Sequence, residues 1–474
     1  MRLEDIFNSI KGAELLGAID ISNINVSKII TDSRLEIKNS LFIPLVGDKF
    51  DGHDFIDKAI SNGASAIIVS KKYKITKNFN LPVIVVPDTL IAYQEIAHWY
   101  RRSLKNLKVI GVTGSCGKTS TKEILKHLLI SIYGENAVYA TKANTNNHIG
   151  VPLNLLNLKS EHKVAVIEMG TNHHGEIEVL AKIAEPDIAV ITSIANAHIE
   201  FFGDLNGVAK EKSNILKSYS KSKPLAIIPD SSPGNEILNN VAGDNSLTFG
   251  ESPNSDIIIE YLGGTINGGR IKLSLGGKLK HLSNKIIETE WSLQGKYQAF
   301  NAGAALLAIF ALSENLSKEW IDNVFEKVSQ SIKNCKLTGM RMRKNEYNGV
   351  TVINDAYNAN PDSMKATIEW LAEFANNNKS YIVLGDMLEL GNKSVNLHQD
   401  IINFATEKLP NVNLFFVGEN MVKAAKFANS INKNYFLTPI EAANSFINDL
   451  NKNDFIFLKA SRGISLEVIE NLLA

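Results

Sequence analysis

Residues 109–125 read VIGVTGSCGKTSTKEIL, and this stretch decides the fold class. The apolar run before Gly114 is typical of a buried strand, and the residues after Lys118 have the pattern of a helix. The glycine-rich loop between them favours phosphate binding, because backbone N–H groups and the positive end of the helix converge on one anion. The stretch therefore predicts a strand, a phosphate-binding loop and a helix.

The loop departs from the strict P-loop pattern, which requires a glycine six residues before the lysine, where this chain has Val112. The other requirements are met, because Gly114 and Gly117 leave room for an anion. Lys118 can reach the terminal phosphates, and the hydroxyl of Thr119 can bind Mg²⁺. The structural alternative is a glycine-rich turn with a chance Gly-Lys-Thr. The predicted nucleotide-binding residues are Gly114, Ser115, Cys116, Gly117, Lys118, Thr119 and Ser120.

The chain of 474 residues is too long for one hydrophobic core. Strand-like and helix-like segments alternate along it, which predicts an α/β fold in three domains: residues 1–103, 104–334 and 335–474. The first is a small α/β domain of short strands. The second is a P-loop domain with a mostly parallel sheet, in which residues 247–293 read as antiparallel strands with glycine-rich turns. The third is a Rossmann-like α/β domain.

Composition excludes several classes of protein. Lys plus Arg number 50 and so do Asp plus Glu, so the net charge gives no indication of a nucleic-acid partner. Two cysteines, Cys116 and Cys335, make no disulfide framework and are typical of a reducing compartment. The longest apolar run, residues 304–312, is shorter than the roughly 20 residues that span a membrane. We therefore expect a cytoplasmic protein without a membrane span.

Three polar residues outside the phosphate loop are candidates for the chemistry. Glu168 ends a strand beside the loop, where a nucleotide site places a carboxylate for its metal ion. His198 follows the next strand, and a lone histidine is more often a structural hydrogen-bonding group. Lys212 lies in a predicted helix, where a lysine is usually solvated. Of these three residues, position in the chain alone favours only Glu168 as a metal ligand.

Sequence blocks in family order along the whole chain resemble the muramyl ligases of peptidoglycan synthesis, and among them those that add D-Ala-D-Ala. NNHIGVP, YNANPDSM and GDMLELG are the most specific parts. The family has an N-terminal UDP-substrate domain, a central ATPase domain and a C-terminal α/β domain. The blocks are TDSR (31–34), GDKFDGHDF (47–55), TGSCGKTS (113–120), NTNNHIGVPLNLL (144–156), AVIEMGTNHHGEI (165–177), AHIEFFG (197–203), GMRM (339–342), NDAYNANPDSM (354–364), LGDMLELG (384–391) and LKASRG (458–463).

The resemblance implies a monomeric ATP-dependent ligase that joins D-Ala-D-Ala to UDP-N-acetylmuramoyl-tripeptide through an acyl phosphate, giving ADP and phosphate. It implies two Mg²⁺ ions and a carbamate on one lysine. The implied catalytic residues are Lys118, Glu168, His198, Lys212 and Arg341. The implied metal ligands are Thr119, Glu168, His198 and carbamoylated Lys212. Besides the loop, the implied ATP contacts are Asn301, Arg341 and Asp355.

The resemblance also implies substrate contacts in each domain. Ser33, Arg34, Asp51 and His53 are expected at the UDP end, although Asp51 to His53 could simply form a turn. Asn144, Asn146 and Asn147 are expected at the muramyl peptide. Tyr357, Asn358 and Asn360 are expected near the dipeptide, with Asx turns as the structural alternative for both asparagines.

Some positions depart from the family pattern, and two other functions stay open. Tyr297 and Gln298 stand where His and Asn are usual; the other departures are Ser213, Asn214, Asn354 and Ala356. One alternative is a related ligase with another acceptor, such as a folylpolyglutamate synthase, and NNHIGVP and YNANPDSM argue against it. The other is a non-catalytic scaffold that binds UDP-muramyl peptides, and the intact Gly-Lys-Thr and Glu168 argue against that. The third residue of the tripeptide, diaminopimelate or lysine, is left open.

Overall fold

The computed structural model describes residues 1–76, 78–219, 223–313, 316–337, 341–377, 379–428 and 434–473. Three large sheets, each covered by helices, follow one another along these residues, which confirms the predicted α/β architecture. Gly339 and Met340 of the GMRM block lie outside the described residues. No helix within the described ranges is both long and apolar enough to cross a membrane. The boundaries at residues 103 and 334 stay predictions.

The first sheet has the order β1-β7-β6-β3-β2, in which only the β1–β7 pair is antiparallel. Ile68 and Ile67 of β6 enter cores on opposite faces of this sheet, which is why the middle of the strand, residues 66–69, is a continuous apolar run. The strands are β1 (Glu14–Leu15), β2 (Lys28–Ile30), β3 (Ser40–Phe42), β4 (Val46–Gly47), β5 (Phe50–Asp51), β6 (Ala64–Ser70) and β7 (Val83–Val86). The helices are α1 (Leu3–Asn8), α2 (Ile56–Ser61) and α3 (Thr89–Ser103). The strands β4 and β5 form a separate hairpin.

The central sheet has nine strands in the order β16-β15-β14-β13-β12-β11-β8-β10-β9. Its strands are β8 (Lys108–Thr113), β9 (Val138–Ala140), β10 (Val164–Glu168), β11 (Ile188–Ile191), β12 (Leu225–Pro229), β13 (Ser246–Gly250), β14 (Ile257–Thr265), β15 (Gly268–Leu275) and β16 (Ile286–Trp291). Its helices are α4 (Lys118–Tyr133), α5 (Gly150–Leu156), α6 (Glu176–Ala184), α7 (Ile199–Phe202), α8 (Leu205–Ser213), α9 (Asn235–Ala242), α10 (Lys296–Phe310) and α11 (Lys318–Ser331).

One detail of the central sheet corrects the sequence interpretation. The antiparallel region begins at β14, whereas β13 pairs in parallel with both β12 and β14 and so extends the parallel sheet. A strand that is buried on both faces and one that continues an antiparallel edge give similar short apolar runs, so periodicity does not separate them. Ile110 and Val109 of β8 enter cores on opposite faces, as expected of a parallel sheet between helices.

The third sheet has the order β17-β18-β22-β19-β20-β21, and only the β17–β18 pair is antiparallel. Its strands are β17 (Arg343–Tyr347), β18 (Val350–Asn354), β19 (Ser380–Gly385), β20 (Asn413–Val417), β21 (Tyr435–Phe436) and β22 (Phe455–Lys459). Its helices are α12 (Pro361–Ala372), α13 (Ser394–Lys408), α14 (Glu419–Ala425), α15 (Pro439–Asn444) and α16 (Glu467–Asn471). This sheet agrees with the α/β architecture predicted for the third domain.

A buried carboxylate ties the last helix to this sheet. Glu470 is 2% exposed and accepts hydrogen bonds from Arg343 at 2.6 Å, Asn354 at 2.8 Å and Tyr347 at 3.0 Å, and another from Asn345. Burial raises the pKa of the Glu470 carboxyl, but these hydrogen bonds outweigh it, so the pKa lies below its usual value. The network fixes the end of the chain against β17 and β18.

We expect Glu470→Ala to lower the free energy of unfolding by about 3 kcal/mol, because it leaves four hydrogen-bond partners, including the buried Asn354, without their acceptor. Because folding lowers this pKa, the stabilisation is complete above the unfolded pKa of about 4.3 and is lost as the pH falls through the folded value. Urea unfolding should therefore show that the free energies of unfolding of the wild type and of Glu470→Ala differ at neutral pH and that this difference becomes smaller in acid. Glu419→Ala, which removes an exposed ion pair with Lys423, is the control and should change little. An equally large difference in acid would contradict a stabilising role for the ionised Glu470 carboxylate.

Candidate active site

The loop between β8 and α4 is shaped by two glycines. Gly114 has a φ of +152° and Gly117 one of +84°, conformations that other residues rarely adopt. A Cβ atom at Gly114 would lie 1.9 Å from Oγ1 of Thr192, and one at Gly117 would lie 2.3 Å from Oδ1 of Asn301. The loop is therefore packed closely against the end of β11 and against α10.

Lys118 is the first residue of α4, and its side chain folds back over the loop. Its ammonium group donates a hydrogen bond to the carbonyl oxygen of Gly114 at 2.7 Å and lies 3.5 Å from that of Ser115. Burial lowers the pKa of Lys118, while the carboxylate of Glu168 acts in the opposite direction. A cation is thus held at the centre of the loop, where the phosphates of a nucleotide would bind.

Glu168 ends β10 next to the loop, as the sequence predicts. The hydroxyl of Thr119 lies 2.9 Å and 2.8 Å from its two carboxylate oxygens, and the amide of Asn146 donates to one of them at 2.9 Å. The backbone N–H of Glu168 donates to the hydroxyl of Thr141. A carboxylate and a hydroxyl side by side are oxygen ligands that suit Mg²⁺, which takes few protein ligands and fills its shell with phosphates and water. The residues present fit that ion.

Lys212 lies in α8 and is 1% exposed. Burial first, and then the nearby ammonium of Lys118, lower the pKa of Lys212 to about 7. No hydrogen bond from its amine is found among the residues that the structure describes. At neutral pH a large fraction of this amine is therefore uncharged, the form that reacts with CO₂ to give a carbamate.

The metal-binding capacity of the site is limited without such a modification. In the described part of the chain, no group of three or more His, Cys, Asp or Glu side chains could hold a metal ion. Of the four predicted ligands, only Glu168 and His198 carry a carboxylate or an imidazole. A carbamate on Lys212 would add a further oxygen ligand.

His198 precedes α7 in a left-handed conformation, with a φ of +55°. Its Nδ1 forms a hydrogen bond with Glu389, which follows β19 of the third sheet. Sequence reasoning did not predict this partner, because the two residues are far apart in the chain. The third sheet and its helices, from residue 341 on, are called the third region below.

A cavity of about 520 Å³ opens between the phosphate loop and the third region. Arg341 and Asp355 line it, as predicted for ATP contacts, and the guanidinium of Arg341 lies 4.3 Å from the ring centre of Tyr357. Lys459, at the end of β22, donates to Asp355 at 2.5 Å. Sequence reasoning missed Lys459, although it lies in the LKASRG block. The sequence feature that could have identified it is a lysine that ends an apolar strand.

One wall of the cavity carries the amides of α10. Asn301 Nδ2 donates to Gln298 Oε1 at 2.9 Å, and Thr121 Oγ1 donates to Asn301 Oδ1 at 3.2 Å. Tyr297 lines the same wall, and burial raises its pKa well above the usual value. Gln298, which departs from the family pattern, therefore keeps an amide that orients Asn301.

The third region closes over the loop through the start of α12. Asn360 caps this helix by accepting from the N–H of Ser363 at 2.8 Å, and Pro361 occupies the first helical position. Asn360 Nδ2 also lies 3.0 Å from the sulfur of Cys116 in the phosphate loop. The Asn358 side chain accepts from the N–H of Ala359. Neither contact is the bond to the second following residue that defines an Asx turn. Asn360 instead caps α12 and also reaches the loop.

The structure places the asparagines of the NTNNHIG block in different roles. Asn146 binds Glu168 and also donates to Asn144 at 3.0 Å. Asn147 accepts from the backbone N–H groups of Ile149 and Gly150 at 3.2 Å and 2.9 Å and so holds the entry to α5.

The four N-terminal candidates lie beside the first sheet: Ser33 and Arg34 follow β2, Asp51 ends the β4–β5 hairpin, and His53 is in the turn after it. His53 is 2% exposed: its Nδ1 lies 2.6 Å from Asp51, and its Nε2 accepts from the backbone N–H of Ser70 at 3.0 Å. Asp51 also caps the turn at His53, which is the structural alternative. Arg34 forms a two-bond ion pair with Asp32 that faces solvent. Ser33 is nearly buried. Of this set, Arg34 has the most accessible side chain.

Comparison with known proteins assigns the family. Three family models match: the Mur ligase family, catalytic domain, over residues 25–106; the Mur ligase middle domain over 112–309; and the Mur ligase, glutamate ligase domain over 340–462. The chain is 32% identical to the UDP-N-acetylmuramoyl-tripeptide–D-alanyl-D-alanine ligase of Bacillus subtilis (strain 168) over 452 residues, 93% of this chain and 92% of the relative.

Solved structures agree with this family. The crystal structure I of MurF from Acinetobacter baumannii matches with a TM-score of 0.85 and 29% identity, covering 99% of this chain and 98% of that one. MurF from Thermotoga maritima in complex with ADP matches at 0.78 and 26% identity, covering 95% and 98%. A folylpolyglutamate synthase of Mycobacterium tuberculosis shares the fold, at 17% identity and a TM-score of 0.61, covering 81% and 94%. The chain belongs to the Mur ligase family.

Proposed function

We propose that the protein is an ATP-dependent peptide ligase that joins D-Ala-D-Ala to UDP-N-acetylmuramoyl-tripeptide, giving the UDP-muramyl pentapeptide, ADP and phosphate. The observation that carries the proposal is the cavity in which the phosphate loop, with Lys118, faces Arg341 and Asn360 of the third region. The names of the relatives supply the two substrates, and the Thermotoga maritima relative with ADP supports the use of ATP.

The residues of the cavity suit transfer of a phosphoryl group to a carboxylate. The peptide carboxylate is a poor electrophile, so one of its oxygens first attacks the γ-phosphorus of ATP, and ADP leaves. Lys118 stabilises the negative charge that develops on the phosphoryl oxygens, and Arg341 adds a second cation from the opposite wall. The product of this step is an acyl phosphate.

The second step forms the peptide bond. The uncharged amine of D-Ala-D-Ala attacks the acyl carbon, the carbon–oxygen bond to phosphate breaks, and the proton of the amine passes to solvent. Asn360 and Tyr357, beside the phosphate loop, are the residues that we assign to the dipeptide. Acyl phosphates react with water, and the closure of the third region over the loop limits its access.

We assign the metal site to Thr119, Glu168 and His198, with a carbamate on Lys212. Mg²⁺ supplied there would neutralise phosphate charge and align the reacting groups. Thr119 and Glu168 are already in contact, and Asn146 holds the carboxylate in place. The pKa of Lys212, lowered to about 7, favours the uncharged amine that carbamoylation requires.

Phosphate release from ATP with UDP-N-acetylmuramoyl-tripeptide, measured with and without D-Ala-D-Ala, tests the proposal. We expect sustained release only with both substrates, one phosphate for each pentapeptide. Turnover with glutamate and a folate would favour the related ligase instead. Binding of the UDP-muramyl tripeptide without any phosphate release would favour the scaffold. Tripeptides that carry diaminopimelate or lysine in third place, compared by kcat/KM, decide which is preferred.

A further inference from the structure

The segment that carries His198 is held by the third region at three points. The backbone and side-chain N–H groups of Asn196 donate to one oxygen of Asp362 at 2.8 Å and 3.1 Å. His198 Nδ1 is hydrogen bonded to Glu389. The ammonium of Lys393 donates to the carbonyl oxygen of Gly203 at 3.2 Å. Contacts with the third region therefore fix both ends of this short segment and its central imidazole.

The two residues of the central contact have unusual backbones. His198 has a φ of +55° and Glu389 one of +62°, in the left-handed region that residues other than glycine rarely adopt. The backbone N–H of Glu200 also approaches the carbonyl oxygen of Glu389 at 3.4 Å. Such conformations persist where the surroundings hold them, and they are concentrated at functional sites. Two of them facing each other across one interface indicate that the contact has a role beyond packing.

The chemistry of histidine suggests that role. A histidine that binds a metal ion through one ring nitrogen usually donates the N–H of the other to a carboxylate or carbonyl, which fixes the tautomer and the ring orientation. Because Glu389 engages Nδ1, the Nε2 of His198 is the nitrogen left for a metal ion. Glu389 belongs to the third region, so this arrangement exists only while that region is closed over the loop.

We propose that Glu389 is a positioning residue that orients the imidazole of His198 for metal binding, so that closure of the third region completes the metal site. The inference rests on the proposed function, because it takes His198 as a metal ligand. Glu389 itself contacts neither substrate nor metal ion. It links two events that a ligase must coordinate: exclusion of water and charge neutralisation at the phosphates.

Binding of Mn²⁺ tests this without turnover. Free Mn²⁺ is measured by electron paramagnetic resonance in the presence of a non-hydrolysable ATP analogue and UDP-N-acetylmuramoyl-tripeptide. We expect Glu389→Ala to weaken one Mn²⁺ site by about 10- to 100-fold, the usual cost of losing the carboxylate partner of a metal-binding histidine. Glu389→Gln, whose amide oxygen still accepts from Nδ1–H, should lose less. Lys393→Ala is the matched control, because it removes a neighbouring contact with the same segment, and it should stay within about twofold.

Kinetics provide a second readout. The Mg²⁺ concentration for half-maximal activity should rise in Glu389→Ala, and saturating Mg²⁺ should restore most of kcat. Unchanged Mn²⁺ affinity in Glu389→Ala, or an equal loss in Lys393→Ala, would overturn the inference. The two proposals fail in different ways: a wild-type protein without dipeptide-dependent phosphate release refutes the ligase, whereas the Mn²⁺ titration alone decides the role of Glu389.

Discussion

Replacing Lys118 by alanine is expected to lower kcat by about 10³-fold, the largest effect of a single substitution that we predict for the loop. The ammonium group is held at the centre of the loop by the carbonyl oxygen of Gly114. It is therefore available, without rearrangement of the backbone, to the charge that develops on the transferred phosphoryl group. Phosphate release under saturating substrates measures the change.

A matched control distinguishes loss of the Lys118 charge at the cavity from loss of a positive charge elsewhere on α4. Lys126 lies on the same helix and is exposed, so Lys126→Ala removes a positive charge without touching the cavity. We expect it to retain nearly full activity. The UDP-muramyl tripeptide should still bind to Lys118→Ala, because its binding groups lie elsewhere. Activity within tenfold of wild type in Lys118→Ala would contradict the assigned role.

Replacing Lys212 by alanine is expected to be nearly as damaging, with a loss of about 10³-fold, but for a different reason. The lysine is needed as the carrier of a carbamate rather than as a cation. Its burial and its pKa, lowered to about 7, provide the uncharged amine for that reaction. Short carboxylates such as acetate, which supply an oxygen ligand in the space left by the side chain, should therefore restore part of the activity.

Rescue by acetate distinguishes a lysine that carries a metal ligand from a lysine that has only a structural role. Lys118→Ala should gain nothing from acetate, because a carboxylate does not replace a cation. Lys210→Ala, in which an exposed lysine of the same helix is removed, should stay active throughout. Mass spectrometry of the intact protein after chemical trapping of carbamates should locate the modification at Lys212. Full activity of Lys212→Ala without added carboxylate would refute the carbamate.

Local patterns predicted the centre of the site because its parts lie at the ends of neighbouring parallel strands. The loop with Lys118 follows β8, and Glu168 ends β10, which pairs directly with β8. Strand, loop and helix are encoded within a few residues, so periodicity and glycine positions are sufficient. The resemblance added Arg341 and Asp355, which line the same cavity.

The partners that sequence reasoning missed act between regions distant in the chain. Asp362 binds Asn196, Glu389 binds His198, and Lys459 binds Asp355. The missed residues are Asp362, Glu389 and Lys459. Each lies in a segment whose predicted secondary structure does not depend on that side chain. The first two pairings depend on how the third region closes over the second, and the third joins the ends of the neighbouring strands β18 and β22. No local periodicity encodes either kind of contact.

In the DGHDF segment, the structure supports a local structural role for two predicted substrate residues. The resemblance predicts Asp51 and His53 at the UDP end, with a turn as the alternative. In the structure Asp51 caps the turn, and both ring nitrogens of His53 are engaged within the domain. A buried histidine and an exposed one give the same letter in a sequence, so only the surrounding packing distinguishes them.

The path of the carboxylate oxygen tests the central claim most directly. UDP-N-acetylmuramoyl-tripeptide with both oxygens of the reacting carboxylate labelled with ¹⁸O is incubated with ATP, Mg²⁺ and D-Ala-D-Ala. The phosphate released is then examined by mass spectrometry. If the carboxylate takes the γ-phosphoryl group, each phosphate carries one ¹⁸O atom and the new amide keeps the other. Unlabelled phosphate would contradict the account, because it would mean that the phosphoryl group never reached the peptide.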